Sequence, residues 1–142
     1  EGEELLSSYP NSKNNSELYR VLGNSYYHQG NQDKAINMLS KYVSSTDSPL
    51  RGDLYILGVC YYNKGNIYMQ LKLWPEAIKA YTQAIKLHAD YAEAYYNRGV
   101  AYILSGDYAS GIPDLSRAGE MGLYKAYNLI KRYRDKAATE VE

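Results

Sequence analysis

The side chains that could carry out nucleophilic or metal chemistry in this sequence are two histidines and one cysteine. His28 and His88 lie 60 residues apart, and Cys60 stands between them in a run rich in Tyr and Val. A metal site usually needs three or four ligands, and neither histidine shares a helix face with another ligand type. A reactive cysteine needs an exposed, electropositive setting. The sequence therefore predicts solvated turn histidines, an inert buried cysteine, no metal, no cofactor and no catalytic residue.

One enzymatic alternative stays open, a hydrolase that would use His88 with a distant carboxylate. A structure would favour this hydrolase if it had a pocket where polar groups converge around a residue of strongly shifted pKa. The sequence contains no phosphate-binding loop and no Gly-x-Ser-x-Gly motif, and its carboxylates are scattered. An enzyme is therefore the weaker prediction.

Asparagine and tyrosine offer a different chemistry, that of binding. An Asn side chain both donates and accepts hydrogen bonds, so it can bind a peptide backbone without selecting a side chain. Tyr buries a large ring and keeps a polar hydroxyl, and the chain has 18 Tyr, one Trp and no Phe. The two residue types recur together in Tyr-Tyr-Asn-Lys-Gly at 61–65 and Tyr-Tyr-Asn-Arg-Gly at 95–99, which are 34 residues apart.

The composition narrows the class of partner. The 142 residues include 16 basic and 16 acidic ones, so the formal net charge is zero. This balance argues against nucleic acid or an anionic membrane surface as the main partner. A single Cys excludes an internal disulfide, and no apolar run approaches the ~20 residues of a membrane span. No signal peptide is visible and the first residue is Glu1 rather than Met, so a processed or excised protein is expected.

The elements that must position these residues follow from an internal repeat. Apolar residues recur at helical spacing in two stretches of each copy, and Pro75 suits the first turn of a second helix. Each copy is thus predicted to form two packed helices, with small residues where the helices approach closely. In register, the two copies match at Gly65 with Gly99, Tyr68 with Tyr102, Trp74 with Tyr108, Ile78 with Ile112, and Ala84 with Ala118.

This pattern resembles the tetratricopeptide repeat, a helix–turn–helix unit of 34 residues. An earlier copy carries the same spacing in Leu22-Gly23, Tyr26, Ala35 and Leu39, although the closing Pro of the family motif is absent from all three copies. The resemblance implies an all-α fold, a right-handed α-solenoid of antiparallel helix pairs forming a single domain over residues 1–142. Its expected parts are a remnant helix and turn (1–15), repeat 1 (16–49), an insertion that extends the first helix of repeat 2 (50–57), repeat 2 (58–91), repeat 3 (92–121), a capping helix (122–138) and a tail (139–142).

Two stretches depart from a regular array. Gly111 and Pro113 stand in the second helix of repeat 3, and a proline there removes a hydrogen bond, so this helix is expected to begin late or to bend. At the end of the insertion 50–57, the pair Leu57-Gly58 places a second glycine signal seven residues before Gly65. Seven residues are about two helical turns, so the two glycines lie on one helix face. Three interpretations stay open: one long helix from about 52 to 72, a break near Gly65-Asn66, or a junction of two segments that are not adjacent in the natural protein.

In the family that the chain resembles, the first helix of each repeat lines a concave groove that binds extended peptides. The resemblance therefore implies a protein–protein interaction scaffold that holds a peptide or helix of a protein partner. The alternative is a structural or oligomerisation module of a bacterial envelope assembly, and the high Tyr content makes a homodimer a specific expectation. Carried over position by position, the groove would be lined by Arg20, Asn24, Tyr27, Tyr62, Asn63, Asn66, Met69, Glu93, Tyr96, Asn97, Val100 and Ile103.

A subgroup of this family grips the C-terminal Glu-Glu-Val-Asp of heat-shock chaperones with a clamp for two carboxylates. Arg20, Asn24 and Asn63 match its positions, but Glu93 and Asn97 stand where Lys and Arg belong. Charge reversal opposite a carboxylate opposes binding, so the clamp is expected to be incomplete. The resemblance is to bacterial-type members, and it leaves the bacterial cytoplasm and the cell envelope both open as compartments.

Overall fold

The computed structural model describes the backbone of residues 15–141 and the side chains of residues 15–136. Seven helices and no strand form this part of the chain, which confirms the expected all-α fold. The remnant helix expected at 1–15 lies outside the described residues except for Asn15, where the first helix begins. The helices are α1 (Asn15–His28), α2 (Gln32–Ser45), α3 (Arg51–Gln70), α4 (Trp74–Leu87), α5 (Ala92–Leu104), α6 (Tyr108–Glu120) and α7 (Ala126–Val141).

The chain divides into two compact units, Glu1–Tyr61 and Tyr62–Glu142, and each is described by itself as unit 1 and unit 2. The boundary falls within α3, which runs without interruption from Arg51 to Gln70. Of the three interpretations of the insertion, the structure has the single long helix, with no break at Gly65-Asn66. One helix accommodates both Gly58 and Gly65 because their apolar neighbours keep the helical spacing across the insertion.

Unit 1 is built on the hairpin of α1 and α2, which approach closely at Gly23. A Cβ added to Gly23 would stand 2.5 Å from Leu39 Cγ, so a larger residue would force the two helices apart. The Tyr42 hydroxyl accepts a hydrogen bond from the Leu50 backbone N–H at 2.9 Å and so helps to fix the start of α3. The buried apolar residues of this unit are Ala35, Met38, Leu39 and Tyr42 of α2 with Leu57 and Cys60 of α3.

The same turn recurs at four helix ends. After each helix a residue of positive φ follows, and the next N–H donates to the carbonyl five residues back, which is the Schellman motif. Three of the positive-φ residues are glycines, which adopt this conformation at no steric cost, and Lys72 is the exception. The φ values are 80° at Gly30, 59° at Lys72, 93° at Gly106 and 106° at Gly122. The bonds, of 2.9–3.0 Å, run from Asn31 to Tyr26, Leu73 to Tyr68, Asp107 to Tyr102 and Leu123 to Ala118.

Unit 2 contains the rest of α3 and the helices α4 to α7. Here too glycines mark the close approaches between helices, as predicted. A Cβ on Gly65 would stand 2.6 Å from the Tyr81 ring, and one on Gly99 would stand 3.0 Å from the Gly111 carbonyl oxygen. The core cluster at the far end of this unit consists of Ile103, Leu115, Ala118 and Ala126.

The second helix of repeat 3 does not begin late, so this half of the expectation was wrong, while a bend at Pro113 stays a prediction. Helix α6 starts at Tyr108, with Asp107 as its N-cap residue accepting from the Ser110 N–H at 3.1 Å. Pro113 lies inside the helix, where its ring removes one N–H donor. The cap at the start and the fully buried Leu115 on the inner face hold the helix in spite of this loss.

The last helix is shifted relative to the expected capping helix at 122–138. It begins at Ala126 because Gly122 and Leu123 form the turn that ends α6. It continues to Val141, over residues expected to belong to the tail. The stretch Ala-Ala-Thr-Glu-Val contains good helix formers and no Gly or Pro, so the sequence offers no stop at 138.

Candidate functional site

In unit 1, two residues of the predicted groove converge on one carboxylate. Arg20 Nε donates to Asp53 Oδ2 at 2.6 Å, and Asn24 Nδ2 donates to Asp53 Oδ1 at 3.0 Å. The two donors lie one turn apart on α1, and Asn24 Nδ2 also donates to the Arg20 carbonyl at 2.9 Å. Asp53 lies in the first turn of α3, within the insertion. The insertion therefore supplies the carboxylate that both donors hold.

The two sides of this ion pair differ in their exposure. The Asp53 side chain is only 5% exposed, whereas that of Arg20 is 31% exposed and also reaches Glu17 Oε1 at 3.0 Å. The hydrogen bond to Asp53 and the attraction of its charge raise the pKa of the Arg20 guanidinium. A cleft of about 520 Å³ opens beside the pair and is walled by the apolar side chains of Val21, Leu50 and Ile56.

In unit 2, three residues of the predicted groove join one hydrogen-bond network. Asn97 Nδ2 donates to the Tyr62 hydroxyl at 3.0 Å and to Asn66 Oδ1 at 3.2 Å. The hydroxyl of Tyr81, a fully buried residue, donates to the same Asn66 oxygen at 2.5 Å. Because Tyr62 and Asn66 belong to α3, Tyr81 to α4 and Asn97 to α5, the network ties three helices together.

This network leaves one donor and one acceptor for a ligand. Within the described side chains, Asn66 Nδ2 and Asn97 Oδ1 have no partner, and both residues are only half-buried. Burial, together with the neighbouring Tyr62, raises the pKa of Tyr81. The Tyr81 hydroxyl therefore stays protonated and keeps donating to Asn66, which fixes the orientation of the Asn66 amide.

Aromatic contacts hold Tyr62 in place. Its ring stacks on Tyr91 with centroids 4.9 Å apart and lies 5.7 Å from the Tyr81 ring. His88 packs on Tyr91 at 5.0 Å, and its Nε2 lies 2.7 Å from Asp90 Oδ1. The expectation of a solvated His88 is thus corrected, because its side chain is only 27% exposed and supports the turn behind Tyr91.

The α5 candidates are partly engaged in packing. Tyr96 and Val100 contact the core cluster of unit 2, and Ile103 is a member of that cluster, so Ile103 is a core residue rather than a groove residue. Lys125 Nζ stands 4.5 Å above the Tyr96 ring, while Glu93 is exposed. Tyr96 therefore presents an aromatic ring that carries a cation on one face.

The remaining candidates are not drawn into either cluster. Asn63 and Met69 on α3 are half-buried, and no described residue forms a hydrogen bond with the Asn63 side chain. Tyr27 on α1 is also half-buried and lies edge-on to the exposed His28, with centroids 5.2 Å apart. The structure thus brings Arg20 with Asn24, and Tyr62 with Asn66 and Asn97, into two separate clusters.

A second arginine–aspartate pair lies in unit 2. Arg98 Nε and Nη2 donate to the two oxygens of Asp114 at 2.7 and 2.8 Å, and Nη1 donates to Thr82 Oγ1 at 3.1 Å. The side chains of Arg98 and Asp114 are 18% and 10% exposed. All three guanidinium nitrogens are used in a bidentate geometry, so this pair joins α4, α5 and α6 as part of the packing.

Cys60 is a packing residue, and the described residues form no cluster of metal ligands. Cys60 is fully buried, and desolvation raises its thiol pKa to about 11, which confirms the expected inert packing role. Among the described residues, no three His, Cys, Asp or Glu side chains come together as a metal site. In the same part of the chain, no helix is both long and apolar enough to cross a membrane.

Sequence reasoning missed four residues of these clusters, namely Asp53, Tyr81, Tyr91 and Lys125. Asp53 did carry a signal, since it is an acidic residue on the otherwise apolar face of the inserted stretch. Tyr81 falls on the apolar stripe of the second helix of repeat 2, and Tyr91 falls in the turn that follows this helix. Nothing in the sequence marks Lys125, because the α6–α7 turn alone brings it over Tyr96.

Helix pairs joined by one recurrent turn, with glycines at the close approaches, define a helical repeat protein. Comparison with protein families shows which kind of helical repeat the chain contains. The family described as TPR repeat matches residues 65–106, and the one described as tetratricopeptide repeat matches residues 21–45. Tetratricopeptide-repeat units therefore occupy these two stretches of the chain.

The curated relatives share only part of their length with this chain. Human protein O-mannosyl-transferase TMTC1 is 29% identical over 102 residues, and human serine/threonine-protein phosphatase 5 is 37% identical over 78 residues. These matches cover 72% and 55% of this chain but 11% and 15% of the two relatives. Since both relatives are human, the bacterial type remains a prediction.

Solved structures agree with this fold over nearly the whole chain. The crystal structure of MamA is 27% identical, with a TM-score of 0.54 over 97% of this chain and 79% of that chain. The first TPR domain of human RPAP3 is 24% identical, with a TM-score of 0.56 over 90% of this chain and 96% of that domain. With the family matches, these likenesses show a helical-repeat fold, which serves as a scaffold for protein–protein interaction.

Proposed function

We propose that the chain binds an extended segment of its protein partner through the face of unit 2 formed by Tyr62, Asn66 and Asn97. The observation that carries this proposal is the pair of unpartnered amide atoms, Asn66 Nδ2 and Asn97 Oδ1, beside an ordered network. In an extended segment the carbonyl and the N–H of one residue point to the same side, so these two atoms can bind both together.

The internal network favours binding because it orders the site in advance. Side chains already held in one rotamer lose little entropy when a ligand arrives. Tyr62 is held by Tyr91, and the Asn66 amide is oriented by the Tyr81 hydroxyl. Contacts to the backbone do not select a sequence, so selectivity must come from neighbouring side chains. Tyr96 with Lys125 above its ring suits an acidic or apolar residue of the partner.

The clamp for chaperone tails is not the mode that we propose. A structure titled first TPR of Spaghetti (RPAP3) bound to an HSP90 peptide shares the fold, at 22% identity and a TM-score of 0.55. In this chain, however, Glu93 and Asn97 replace the two cations of the clamp, and Arg20 and Asn24 already hold Asp53. We further propose that Tyr27, Asn63, Met69 and Val100 take part in the groove and that the chain has no enzymatic activity of its own.

The substitution Asn66→Asp tests the proposed site while sparing the fold. Aspartate keeps the oxygen that accepts from Tyr81 and Asn97, but it replaces the outward donor with an acceptor. The probe is a heptapeptide selected from a random display library on the wild-type chain. We expect its affinity, measured by fluorescence anisotropy, to fall by about 10–100-fold, because a peptide carbonyl then meets a carboxylate. The urea midpoint should stay close to that of the wild type.

Asn128→Asp is the matched control, since it adds the same charge at an exposed position of α7. Asn63→Asp, one turn before Asn66 on α3, tests whether Asn63 belongs to the groove. An Asn66→Asp variant that binds the peptide as tightly as the wild type would place the site elsewhere.

A second candidate function is that of an oligomerisation module. It is favoured by the apolar residues Ile67, Leu71 and Leu73 of unit 2, which are 47%, 62% and 42% exposed around the α3–α4 turn. A homodimer that covers them would dissociate in the double variant Ile67→Glu, Leu71→Glu. Light scattering across a range of concentrations decides this, and a monomeric wild type would reject the candidate.

A further inference from the structure

The cluster of Arg20, Asn24 and Asp53 has the composition of a carboxylate-binding site that is already occupied. Two donors from successive turns of α1 bind the two separate oxygens of one carboxylate, at 2.6 and 3.0 Å. A donor pair of this kind, one charged and one neutral, binds a carboxylate in the same way whether it comes from the chain itself or from another molecule. The cleft beside the pair gives such a molecule access.

A comparison with the Arg98–Asp114 pair separates this cluster from an ordinary packing contact. Arg98 uses all three of its nitrogens and is 18% exposed. Arg20 is 31% exposed, and its Nη2 has no partner among the described residues. Removal of Asp53 would therefore leave two donors lining an open cleft rather than a sealed cavity.

We propose that Asp53 is a specificity-determining residue, which fills the Arg20–Asn24 pair and thereby excludes the carboxylates of a partner from the cleft of unit 1. With Asp53 in place, Glu17, Arg20 and Asp53 carry a formal charge of −1, and Val21, Leu50 and Ile56 give the cleft its apolar walls. The cleft therefore accepts a neutral or cationic apolar group of the partner. This role rests on the proposed function, because it presupposes a bound partner, whereas the occupancy of the donor pair does not.

The test uses acetate as the probe and the variant Asp53→Ala. Acetate should enter the vacated donor pair and stabilise the folded variant. At 0.5 M acetate and a dissociation constant of about 50 mM, the unfolding equilibrium constant should fall about tenfold relative to sodium chloride of equal ionic strength. The wild type should respond equally to the two salts, because Asp53 occupies the pair. Urea unfolding followed by circular dichroism measures both.

The double variant Arg20→Ala, Asp53→Ala is the control, since it keeps the vacated space but lacks the main donor. An equal response of the single and double variants would overturn the carboxylate site, and a wild type that responds like Asp53→Ala would overturn its occupation by Asp53. Should Asp53→Ala not fold, Asp53→Ser offers the same vacancy with a residue suited to the first turn of a helix. The acetate test needs no peptide partner. A negative result in it therefore concerns only the Asp53 proposal, whereas a negative result in the Asn66→Asp test concerns the proposed peptide site.

Discussion

The α3–α4 and α5–α6 hairpins of unit 2 carry matching residues 34 positions apart, yet different contacts hold them together. In the first hairpin, Gly65 faces the ring of the buried Tyr81, whose hydroxyl binds Asn66. In the second, Gly99 faces the backbone of Gly111, and the position that corresponds to Tyr81 is Leu115. One hairpin is thus filled by an aromatic ring and the other by direct approach of the two backbones.

The two hairpins also differ in the contacts of their basic side chains. Arg98 of the second binds Asp114 through two nitrogens, whereas Lys64 at the matching position of the first lies near the ring of Tyr68, with its Nζ 5.8 Å from the centroid. The position that corresponds to Asp114 is Ala80. The buried ion pair is therefore specific to the second hairpin, and the polar contact at the matching place of the first is the network of Asn66 and Tyr81.

The two hairpins also differ in the turn between their helices. The second hairpin turns on Gly106 and caps α6 with Asp107. The first turns on Lys72 in a left-handed conformation, and Leu73 provides no side-chain cap for α4. A family pattern therefore specifies where two helices meet, while the energy of each meeting depends on residues that the pattern leaves free.

The largest effect is expected at the ion pair. Asp114→Ala leaves the Arg98 guanidinium largely buried and unpaired, which should cost about 3–5 kcal/mol in the free energy of unfolding. Urea denaturation of the variant measures this loss. The double variant Arg98→Met, Asp114→Ala removes both charges and should recover part of it. A loss below about 1 kcal/mol in the single variant would mean that the pair does not anchor the second hairpin.

An intermediate effect is expected where Gly65 meets Tyr81. In Gly65→Ala the new methyl group collides with a ring that is buried and anchored through its hydroxyl. Overpacking costs about 1–3 kcal/mol and the gain in helix propensity is about 1 kcal/mol, so the variant should lose up to about 2 kcal/mol. Tyr81→Leu introduces the residue of the second hairpin, and a double-mutant cycle should reveal that it relieves the clash. Additive losses would mean that Gly65 is not limited by Tyr81.

The smallest effect is a gain in stability at the α3–α4 turn. Leu73→Asp copies the cap of α6 and should stabilise the fold by about 1 kcal/mol, because the new carboxylate can accept from a free N–H of the first turn of α4. Thermal and urea unfolding measure the gain. The reciprocal change Asp107→Leu should lose a similar amount at α6, and equal stability of all three chains would remove the contrast between the turns.

Much of the fold could be predicted because it depends on periodic spacing. The helix expected from about 52 to 72 runs from Arg51 to Gln70, since apolar residues at helical intervals define its buried face. The first residues of α6 and α7 could not be predicted in the same way, because each start depends on a local cap or turn. Asp107 sets the first end, and Gly122 with Leu123 sets the second. All three residues stand in the sequence, but Pro113 favours a later start of α6 than the cap at Asp107 produces.

The candidate sites could be predicted only in part. The carried-over positions do contain Asn66 and Asn97, and the structure adds the bond between them and the Tyr81 hydroxyl that orients one of them. They contain Arg20 and Asn24 as well, but not Asp53, which lies 29 residues beyond Asn24. That contact depends on the register at which α3 packs beside α1 within unit 1, and no local pattern encodes that register.

The sequence by itself determined the family and the helix pairs, because a repeat of 34 residues places glycines and aromatic rings on the faces that must pack. Only the tertiary structure decided which polar atoms are used up and which are left over. A hydrogen bond requires two atoms to lie within about 3 Å of each other, and residues about 30 positions apart reach that distance only through the packing of whole helices. Only the packed helices therefore show that Asp53 occupies the Arg20–Asn24 pair. Only they show that Asn66 and Asn97 each keep an amide atom available for a ligand.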